Sequence, residues 1–499
     1  MLPRPVAGQV TALCAIATAL LLGCGRGSGR AQSGEAVLQS RDSVGARPQL
    51  TSCRVDGVHG DARCGWFTVW ENRASRQGRR IALKVVVLPA RMAAARQPDP
   101  IFILTGGPGI GVATEAGTAN LVGAARDERD VVLVDQRGTG ASAPLACDLY
   151  GRGFAPYLGD RWPVAAVRHC RDSLAKHADL TQYTSSIAAD DLDDVRAALG
   201  YDKIDVVGFS YGSKLALVYL RQHPTHVRRT VLDGVITTAY TTPLPGAAAG
   251  ARALRAAFAD CAAQLRCASA YPRLEAELRA VVARLDSAPA PVTLSEDFGL
   301  GRERAVLTRR AFLNGLWSHL YTATDAREIP RMIHRAARGD FTFAAREIDM
   351  FNVNRWPRFS VGAMLAILCT EDVPFIAEAD VARAESTEPL GAPLSRELME
   401  ACDGWPRGTL PLGYRDSARS EVPALVLAGA LDPISPPEWA ASAARSLTRR
   451  TLVVRPGAGH LDGDECTRQL IAEFITRTNP EGMDVSCAAR SRREEFWVK

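Results

Sequence analysis

The chain has 499 residues, of which 47% are hydrophobic and 23% charged, a composition typical of a folded globular protein and not of a disordered, collagenous or coiled-coil one. The formal net charge of +5 and the lack of any run of five basic residues argue against a nucleic-acid partner. A chain of this length can bury a full hydrophobic core in one enlarged domain without a metal or a second subunit.

The N-terminal residues predict export. Residues 10–23 (VTALCAIATALLLG) are uncharged and apolar, as in the core of a signal peptide, and the stretch is too short to cross a bilayer. It ends in Leu-Leu-Gly-Cys at 21–24, which resembles the bacterial lipobox, where the cysteine is acylated and becomes the new N-terminus. We therefore expect residues 1–23 to be a signal peptide and Cys24 to carry a lipid. The alternative is an ordinary secretory signal that is cleaved near Ala31.

Residues 24–52 are interpreted as a flexible tether. Positions 25–50 are rich in Gly, Ser and Arg and show no apolar periodicity, which is typical of linkers. The folded part is expected to begin near Cys53. The protein is thus expected to be exported, either as a cell-envelope lipoprotein in the periplasm or on the cell surface, or as a secreted protein. Membrane contact is expected only through the N-terminal lipid.

The cysteines agree with an oxidising compartment. Of the 12 cysteines, Cys14 leaves with the signal and Cys24 is the lipid site, so an even number of ten remains. Pairing of sequence neighbours would close five short loops, each worth roughly 2–4 kcal/mol of stability. These pairs are Cys53/Cys64, Cys147/Cys170, Cys261/Cys267, Cys369/Cys402 and Cys466/Cys487. The sequence does not fix this connectivity, and buried free thiols are the alternative. No C-x-x-C occurs, which argues against a zinc ribbon or a thioredoxin-like centre.

Short β-rich runs alternate with helical stretches along the folded part. The eight runs lie at 65–71, 80–88, 100–104, 130–134, 203–207, 230–232, 424–428 and 451–454. From the third onward the runs are continuously apolar, as in strands buried on both faces of a parallel sheet. Helical patterns over 185–199 and 211–222 lie between them. This alternation predicts an α/β fold with a doubly wound, mostly parallel sheet of eight strands.

One long interval breaks the alternation. About 190 residues lie between Asp233 and Val422, too many for a connection between consecutive strands of a buried sheet. Their pattern is largely helical, at 248–264, 271–285, 308–321, 325–337, 341–352 and 377–385. Residues 236–420 are therefore predicted to be an inserted helical cap, and the sheet domain to comprise 53–235 and 421–499. Two independent domains in series are disfavoured because strand-like segments resume after the interval.

The pentapeptide Gly-Phe-Ser-Tyr-Gly at 208–212 follows an apolar strand and opens a helical run. In this context G-x-S-x-G predicts a nucleophile elbow. The tight turn needs small residues two positions on either side of the serine, and it leaves the serine hydroxyl exposed above the sheet. Ser210 is therefore the predicted nucleophile.

A serine hydroxyl needs a base, and the base needs a carboxylate that holds it in the right tautomer. In this architecture the acid and then the histidine follow the serine along the chain, each after a later strand. Asp432 follows the seventh β-rich run and His460 follows the eighth through a glycine-containing loop, so these residues are the predicted acid and base. Asp462 and Asp464 are weaker alternatives for the acid, and they are expected to begin the last helix.

The tetrahedral intermediate also needs backbone N–H donors. We expect one from Tyr211, directly after the nucleophile, and one from Gly107 in the loop Thr-Gly-Gly-Pro-Gly at 105–109. A nucleotide-binding glycine cluster is the alternative for this loop, but Pro108 interrupts it and no G-x-G-x-x-G opens a helix there. The sequence has no H-E-x-x-H and no calcium-loop spacing. We therefore expect neither a metal nor a cofactor.

The sequence resembles the α/β-hydrolase peptidases of the proline iminopeptidase and tripeptidyl aminopeptidase family. The shared motifs occur in order: Gly-Gly-Pro-Gly at 106–109, Asp-Gln-Arg-Gly-Thr-Gly-Ala-Ser at 135–142, the elbow at 208–212, Gly-Ala-Leu-Asp at 429–432 and Gly-His at 459–460. The second motif is the most specific, and Asp135 and Arg137 are expected to brace loops below the site. Thr105 stands where iminopeptidases usually have His. The sequence therefore resembles the exported tripeptidyl aminopeptidases more closely. The motif Cys-Thr-Glu-Asp at 369–372 also resembles that branch.

This resemblance implies a serine aminopeptidase that acts on short peptides near a free N-terminus through an acyl-enzyme. Such a site needs a carboxylate to hold the substrate ammonium. Glu371 is the first candidate for this carboxylate and Asp372 is the second. The alternative interpretation of these residues is a surface acid that caps a helix. The cap is expected to exclude long chains. A carboxylesterase that acts on small acyl esters with the same triad remains an alternative, and an envelope binding or scaffold protein is a non-enzymatic one.

Overall fold

The computed structural model describes residues 43–498, except 152, 154, 245, 295–301, 356–357 and 389. The predicted signal peptide, the predicted lipid site Cys24 and most of the predicted tether lie outside the described residues. None of the described helices is long and apolar enough to cross a membrane.

The described residues contain a nine-stranded sheet and a separate two-stranded hairpin. The strands are β1 (Thr51–Cys53), β2 (Ala62–Trp70), β3 (Arg80–Leu88), β4 (Ile101–Leu104), β5 (Val131–Val134), β6 (Ile204–Phe209), β7 (Val227–Asp233), β8 (Ala290–Leu294), β9 (Glu303–Leu307), β10 (Ala424–Gly429) and β11 (Arg450–Arg455). The sheet has the order β1-β2-β3-β5-β4-β6-β7-β10-β11. Neighbours from β5 to β11 are parallel, whereas β1, β2 and β3 pair antiparallel. The predicted α/β architecture is confirmed.

The sheet has one strand more than the predicted eight. All eight β-rich runs belong to it, and β1 is the addition. This strand has three residues, of which two are exposed, so it carries no apolar pattern that a sequence could reveal. Pairing with β2 and a disulfide bond between Cys53 and Cys64 hold it at the sheet edge.

The α-helices of the described part connect and cover these strands. They are α1 (Ala125–Glu128), α2 (Val164–Leu174), α3 (Ser185–Leu199), α4 (Tyr211–Gln222), α5 (Gly246–Ala263), α6 (Leu265–Ala270), α7 (Leu274–Ser287), α8 (Arg309–His319), α9 (Ile329–Ala337), α10 (Phe341–Arg355), α11 (Val361–Glu371), α12 (Glu378–Thr387), α13 (Pro393–Ala401), α14 (Pro437–Ser446) and α15 (Glu465–Thr476). The predicted spans of α3 and α4 match the structure residue for residue. The Thr184 hydroxyl accepts from the Ile187 amide where α3 begins, and Gly200 ends the helix at a φ of 86°.

The side chains of successive residues in the central strands pack in two different hydrophobic cores, one on each face of the sheet. In β4, Phe102 and Leu104 pack in a cluster with α3 and α4, whereas Ile101 and Ile103 pack on the opposite face in a cluster with α15. Strands that are buried on both faces need apolar side chains in both directions. This explains the continuous apolar runs of the sequence.

The inserted segment contains a core of its own. Residues 253–348 supply most of a separate hydrophobic cluster, which includes the hairpin β8–β9 and helices α5 to α10. The later helices α11 and α13 pack instead in the cluster that covers the sheet. Within the range 236–420, only the first part is thus built around a core of its own. The hairpin and the helices α6, α11 and α13 were not predicted.

The last residues of the chain return to the inserted segment. Phe496 is buried in the core of this segment, and the Tyr271 hydroxyl donates to the carbonyl oxygen of Trp497 at 3.0 Å. Arg493 pairs with Asp260 at 2.9 Å. The C-terminal segment therefore adds to the core of the inserted segment, although it follows α15 along the chain.

Five disulfide bonds join the ten cysteines of the folded part. They are Cys53–Cys64, Cys147–Cys170, Cys261–Cys267, Cys369–Cys402 and Cys466–Cys487. The structure thus pairs sequence neighbours, as predicted. Each bond closes a loop of fewer than 35 residues and reinforces a local part of the fold.

Candidate active site

Ser210 lies in the turn between β6 and α4, with a φ of 55°. A residue other than glycine is strained in this region of backbone space, so the surrounding structure must hold it there. A Cβ on Gly212 would lie 2.0 Å from the carbonyl oxygen of Leu104, and a Cβ on Gly208 would lie 2.4 Å from the carbonyl oxygen of Gly212. These contacts explain why the elbow requires glycine on both sides of the serine.

His460 and Asp432 lie beside the serine. His460 Nε2 is 2.8 Å from Ser210 Oγ, and His460 Nδ1 is 2.7 Å from Asp432 Oδ2. The three residues are at most 3% exposed. The backbone amide of His460 donates to the carbonyl oxygen of Tyr321 at 2.6 Å, and the Tyr321 ring meets the imidazole edge-on. The structure therefore brings together the three side chains predicted as nucleophile, base and acid.

The Asp432 carboxylate is fixed by its neighbours. Its Oδ1 accepts from the backbone amides of Ile434 and Ser435 at 2.7 and 2.8 Å. The Ser435 hydroxyl donates to Oδ2 at 2.7 Å and also lies 3.1 Å from His460 Nδ1. Ser435 was not among the predicted site residues. A serine three residues after a predicted catalytic aspartate, in a loop, is a signal that could have identified it.

The two alternative acids accept hydrogen bonds from backbone amides. Asp462 accepts from the amides of Gly459 and Ala323 at 2.6 and 3.1 Å, and burial raises the pKa of its carboxyl. Asp464 accepts from the Thr467 amide at 2.8 Å at the start of α15. Neither carboxylate has a hydrogen bond to His460 among those found in the described part of the chain. Asp464 begins the last helix, as predicted.

The glycine loop after β4 passes directly against the nucleophile. A Cβ on Gly106 would lie 2.9 Å from Ser210 Cβ. The next residue, Gly107, has a φ of 113° and lines the same cavity as Ser210. Tyr211 is the first residue of α4, so its amide has no acceptor within the helix. Both predicted oxyanion donors thus lie at the serine.

Asp135 and Arg137 brace the surrounding loops. The Asp135 carboxylate accepts from the amides of Ala113 and Ala141 at 2.7 and 2.9 Å, which ties the glycine loop to the loop after β5. Burial raises the pKa of Asp135. Arg137 makes two hydrogen bonds to Asp191 on α3, at 2.6 and 2.8 Å. A planar guanidinium that binds a carboxylate through two nitrogens fixes both orientation and distance.

Glu371 and Asp372 lie away from the expected role of amine anchor. Both are 1% exposed, and both pair with the ammonium of Lys214, at 3.1 and 2.9 Å. Glu371 also accepts from the Ser185 amide at 2.6 Å and from the Tyr414 hydroxyl at 2.5 Å. Carboxylates with this many internal donors are not available to a substrate ammonium. This corrects the prediction for both residues, which form a buried ion cluster behind α4.

Two cavities meet at Gly107, Tyr321 and Phe359. The inner cavity, of about 150 Å³, has mainly apolar walls and is lined by Gly107, Arg161, Trp162, Thr242, Pro243, Trp317, Ser318, Tyr321, Asn352, Phe359, Met364, Leu368, Leu394, Leu398 and Ile434. The outer cavity, of about 330 Å³, contains Ser210 and Glu115. The described lining of the inner cavity includes no acidic residue.

Comparison with known proteins gives two family matches and several relatives. Residues 99–259 match the family described as alpha/beta hydrolase fold, and residues 387–487 match the family described as TAP-like protein. The serine protease Hip1 of Mycobacterium tuberculosis is 26% identical over an alignment that covers 94% of this chain and 96% of that protein. The tripeptidyl aminopeptidase of Streptomyces lividans is 30% identical over 42% of each chain. A proline iminopeptidase of Neisseria meningitidis is 32% identical over 28% of this chain and 34% of its own.

Proposed function

We propose that this chain, which belongs to the α/β-hydrolase peptidases, hydrolyses peptide bonds near a free N-terminus with Ser210 as its nucleophile. The observation that carries this proposal is the buried relay from Ser210 through His460 to Asp432, with 2.8 and 2.7 Å between the paired atoms. Similar proteins are named serine protease, tripeptidyl aminopeptidase and proline iminopeptidase. Short peptides are therefore the proposed substrates.

The first half-reaction forms an acyl-enzyme. His460, whose Nδ1–H donates a hydrogen bond to Asp432, accepts the Ser210 proton at Nε2 while the serine oxygen attacks the substrate carbonyl. The amides of Gly107 and Tyr211 are proposed to donate to the oxyanion. Donors that are already in place in a buried site stabilise the developing charge without reorganisation. The imidazolium then protonates the leaving amine.

The second half-reaction repeats these roles with water. His460 removes a proton from a water molecule, which attacks the acyl carbonyl, and then returns the proton to Ser210. The hydrogen bonds that Asp432 receives from Ile434, Ser435 and His460 hold the imidazole in one orientation during both steps.

The inner cavity supports an apolar acyl group as the part of the substrate next to the serine. Its wall includes Trp317, Leu368 and Leu394, and it meets the outer cavity at Gly107. Burial of apolar surface contributes roughly 25 cal/mol per Å², so a side chain of matching size gains affinity there. The described wall of this cavity is apolar and includes no carboxylate. This favours a second candidate function, that of a carboxylesterase for small acyl esters.

A substrate panel separates these functions. The panel contains aminoacyl, tripeptidyl, N-blocked peptidyl and short acyl ester chromogenic compounds, and it is assayed with the wild type and Ser210→Ala. We expect the highest kcat/KM for free-amine peptides and a loss of at least about 10³-fold for Ser210→Ala. Higher kcat/KM for acyl esters than for any peptide would favour the esterase. Equal turnover by Ser210→Ala would contradict both enzymatic functions.

We further propose that the protein is exported and anchored through a lipid on Cys24. The five disulfide bonds support export, since such bonds persist in oxidising compartments. The mass of the mature N-terminus tests the anchor. A diacylated or triacylated cysteine at residue 24 is expected, with loss of membrane association in Cys24→Ala. An unmodified N-terminus near Ala31 would instead indicate ordinary secretion.

A further inference from the structure

Two histidines and an aspartate come together on the flank of the sheet domain, outside the active site. Asp193 lies on α3, His223 follows the last residue of α4, and His226 lies just before β7. One ligand atom of each residue lies within 4.8 Å of the other two. Their side chains are 15%, 19% and 33% exposed. A cation in solution can therefore reach the cluster, and the protein shields it from most of the solvent.

The separations suit ligands of one ion. His226 Nδ1 lies 2.8 Å from Asp193 Oδ1, and His223 Nδ1 lies 3.7 Å from Asp193 Oδ2. The second distance is too long for a hydrogen bond. Imidazole nitrogens and carboxylate oxygens bind zinc at about 2.0–2.2 Å, so the three side chains must rotate to place their ligand atoms around a shared ion.

The other ring nitrogen of His223 provides an independent observation. His223 Nε2 lies 3.0 Å from Asp190 Oδ1, and Asp190 is one turn before Asp193 on α3. Histidines that bind metals almost always donate their second N–H to a carboxylate, a carbonyl or water, which fixes the tautomer that leaves the other nitrogen free to coordinate. In this arrangement the proton of His223 is on Nε2, where it is donated in a hydrogen bond to Asp190, and it is not directed at Asp193 or His226.

Basic and hydroxyl groups already contact the carboxylate. Arg196 donates to both oxygens of Asp193, at 2.7 and 3.2 Å from its Nε and Nη2, and the Tyr219 hydroxyl donates to Oδ1 at 2.8 Å. Oδ2 thus receives one hydrogen bond from these groups and retains a lone pair. A metal ion at the cluster takes the place of the hydrogen bond between His226 and Asp193, with His226 in the neutral tautomer that carries its proton on Nε2.

We propose that Asp193, His223 and His226 form a binding site for a divalent transition cation of the zinc type. Two imidazole nitrogens and one carboxylate oxygen suit zinc, nickel or copper, whereas calcium and magnesium prefer oxygen ligands throughout. Water completes the coordination. The bound ion links α3 to the segment between α4 and β7, and thus acts as a structural clip beside the helix that begins at the nucleophile.

Zinc binding by the mature chain, purified without an affinity tag, tests the proposal. Isothermal titration with zinc chloride is carried out on the wild type, His223→Ala, His226→Ala and Asp190→Ala, with His177→Ala as a control because His177 is an exposed histidine elsewhere. We expect one zinc per chain in the wild type and the control. Asp190→Ala, which leaves the three ligands in place, should weaken binding about 10–100-fold. The two ligand variants should lose the site.

Thermal unfolding shows whether each variant is folded and gives a second measurement. Zinc should raise the Tm of the wild type and His177→Ala, and a chelator should reverse the rise. The double variant His223→Ala/His226→Ala should melt cooperatively without any response to zinc. Equal zinc affinity in all variants, or an equal Tm response in the double variant, would overturn the proposal.

Discussion

Asp432 receives four hydrogen bonds in a position with no solvent exposure, from two amides, one hydroxyl and the imidazole of His460. Such a carboxylate cannot rotate without losing several of them, and each loss leaves a buried polar atom unsatisfied. The orientation of His460 is therefore set by the hydrogen bonds that hold Asp432 in place. Among the donors, Ser435 contacts both members of the acid–base pair.

Ser435→Ala should reduce kcat by up to about tenfold with little change in KM. The variant removes one hydrogen bond to Asp432, worth about 0.5–1.5 kcal/mol, and a tenfold rate change corresponds to about 1.4 kcal/mol. Steady-state kinetics on the best peptide of the substrate panel measures this. Ser75→Ala, at an exposed site, is the control. A change confined to KM would show that Ser435 acts on substrate binding and not on the orientation of the base.

The ion cluster behind α4 makes a different residue-level prediction. Lys214→Met leaves Glu371 and Asp372 buried without their cation, which should lower the free energy of unfolding by about 3–5 kcal/mol. Exposed Lys203→Met is the matched control and should change it by less than about 0.5 kcal/mol. Urea unfolding monitored by fluorescence measures both. Adding Asp372→Asn to Lys214→Met should recover part of the loss.

The pH dependence of this loss has a defined sign. Burial raises the pKa of Asp372 above its usual value even with Lys214 beside it, so the folded chain binds a proton more readily at this position than the unfolded chain does. Stability from this group is therefore greatest at acid pH and is lost as the pH rises. The Lys214→Met variant, which lacks the opposing ammonium, should lose less stability at pH 5 than at pH 8. A larger loss at pH 5 would contradict this account.

At the scale of elements, the disulfide bonds close loops of different lengths. Cys369–Cys402 joins α11 to the residue after α13 across a separation of 33 residues, whereas Cys261–Cys267 spans 6. Loop-closure entropy of the unfolded chain predicts stabilisation of about 4 and about 2 kcal/mol, respectively. The double variant Cys369→Ala/Cys402→Ala should therefore be less stable than Cys261→Ala/Cys267→Ala by about 1.5 kcal/mol. Equal losses in chemical unfolding would argue against an entropic origin.

The elements that could be predicted are those with a distinct hydrophobic pattern. β6 and β10 are continuous apolar runs. α3 begins after a Thr184 cap and ends at Gly200, and α4 begins directly after the elbow serine and ends before Pro224, so the bounds of both helices followed from sequence. α11 is buried along all its residues and therefore has no amphipathic period to detect. β8 and β9 alternate buried and exposed side chains, but they lie inside a helical region and were overlooked. The amine-anchor error had another cause, since sequence could not reveal that Lys214 lies beside Glu371 and Asp372.

At the scale of the whole molecule, the substrate site depends on packing within the inserted segment. Trp317 of α8 lines the inner cavity and donates from its indole nitrogen to the carbonyl oxygen of Gly246 at 3.2 Å. The backbone of α5 approaches the indole so closely that a Cβ on Gly250 would lie 2.6 Å from it. The inserted helices therefore determine the width of a cavity that Gly107, Trp162 and Ile434 of the sheet domain also line.

Gly250→Ala should narrow the inner cavity by displacing the Trp317 ring. We expect kcat/KM for substrates with large apolar acyl groups to fall about tenfold, and kcat/KM for small acyl groups to change less. The reason is that a misfit of about one methyl group in a filled pocket costs about 1–3 kcal/mol of binding free energy. Exposed Ala248→Ser on the same helix is the control. An equal decrease for large and small acyl groups would indicate general damage to the fold.

Ser210 and His460 are separated by 250 residues, and Phe496 packs in the core of the inserted segment. A polypeptide that stops between residues 210 and 460 carries the serine but lacks the imidazole that lies beside it. Premature termination before residue 460 should therefore abolish the proposed hydrolysis, even where the elbow itself is intact.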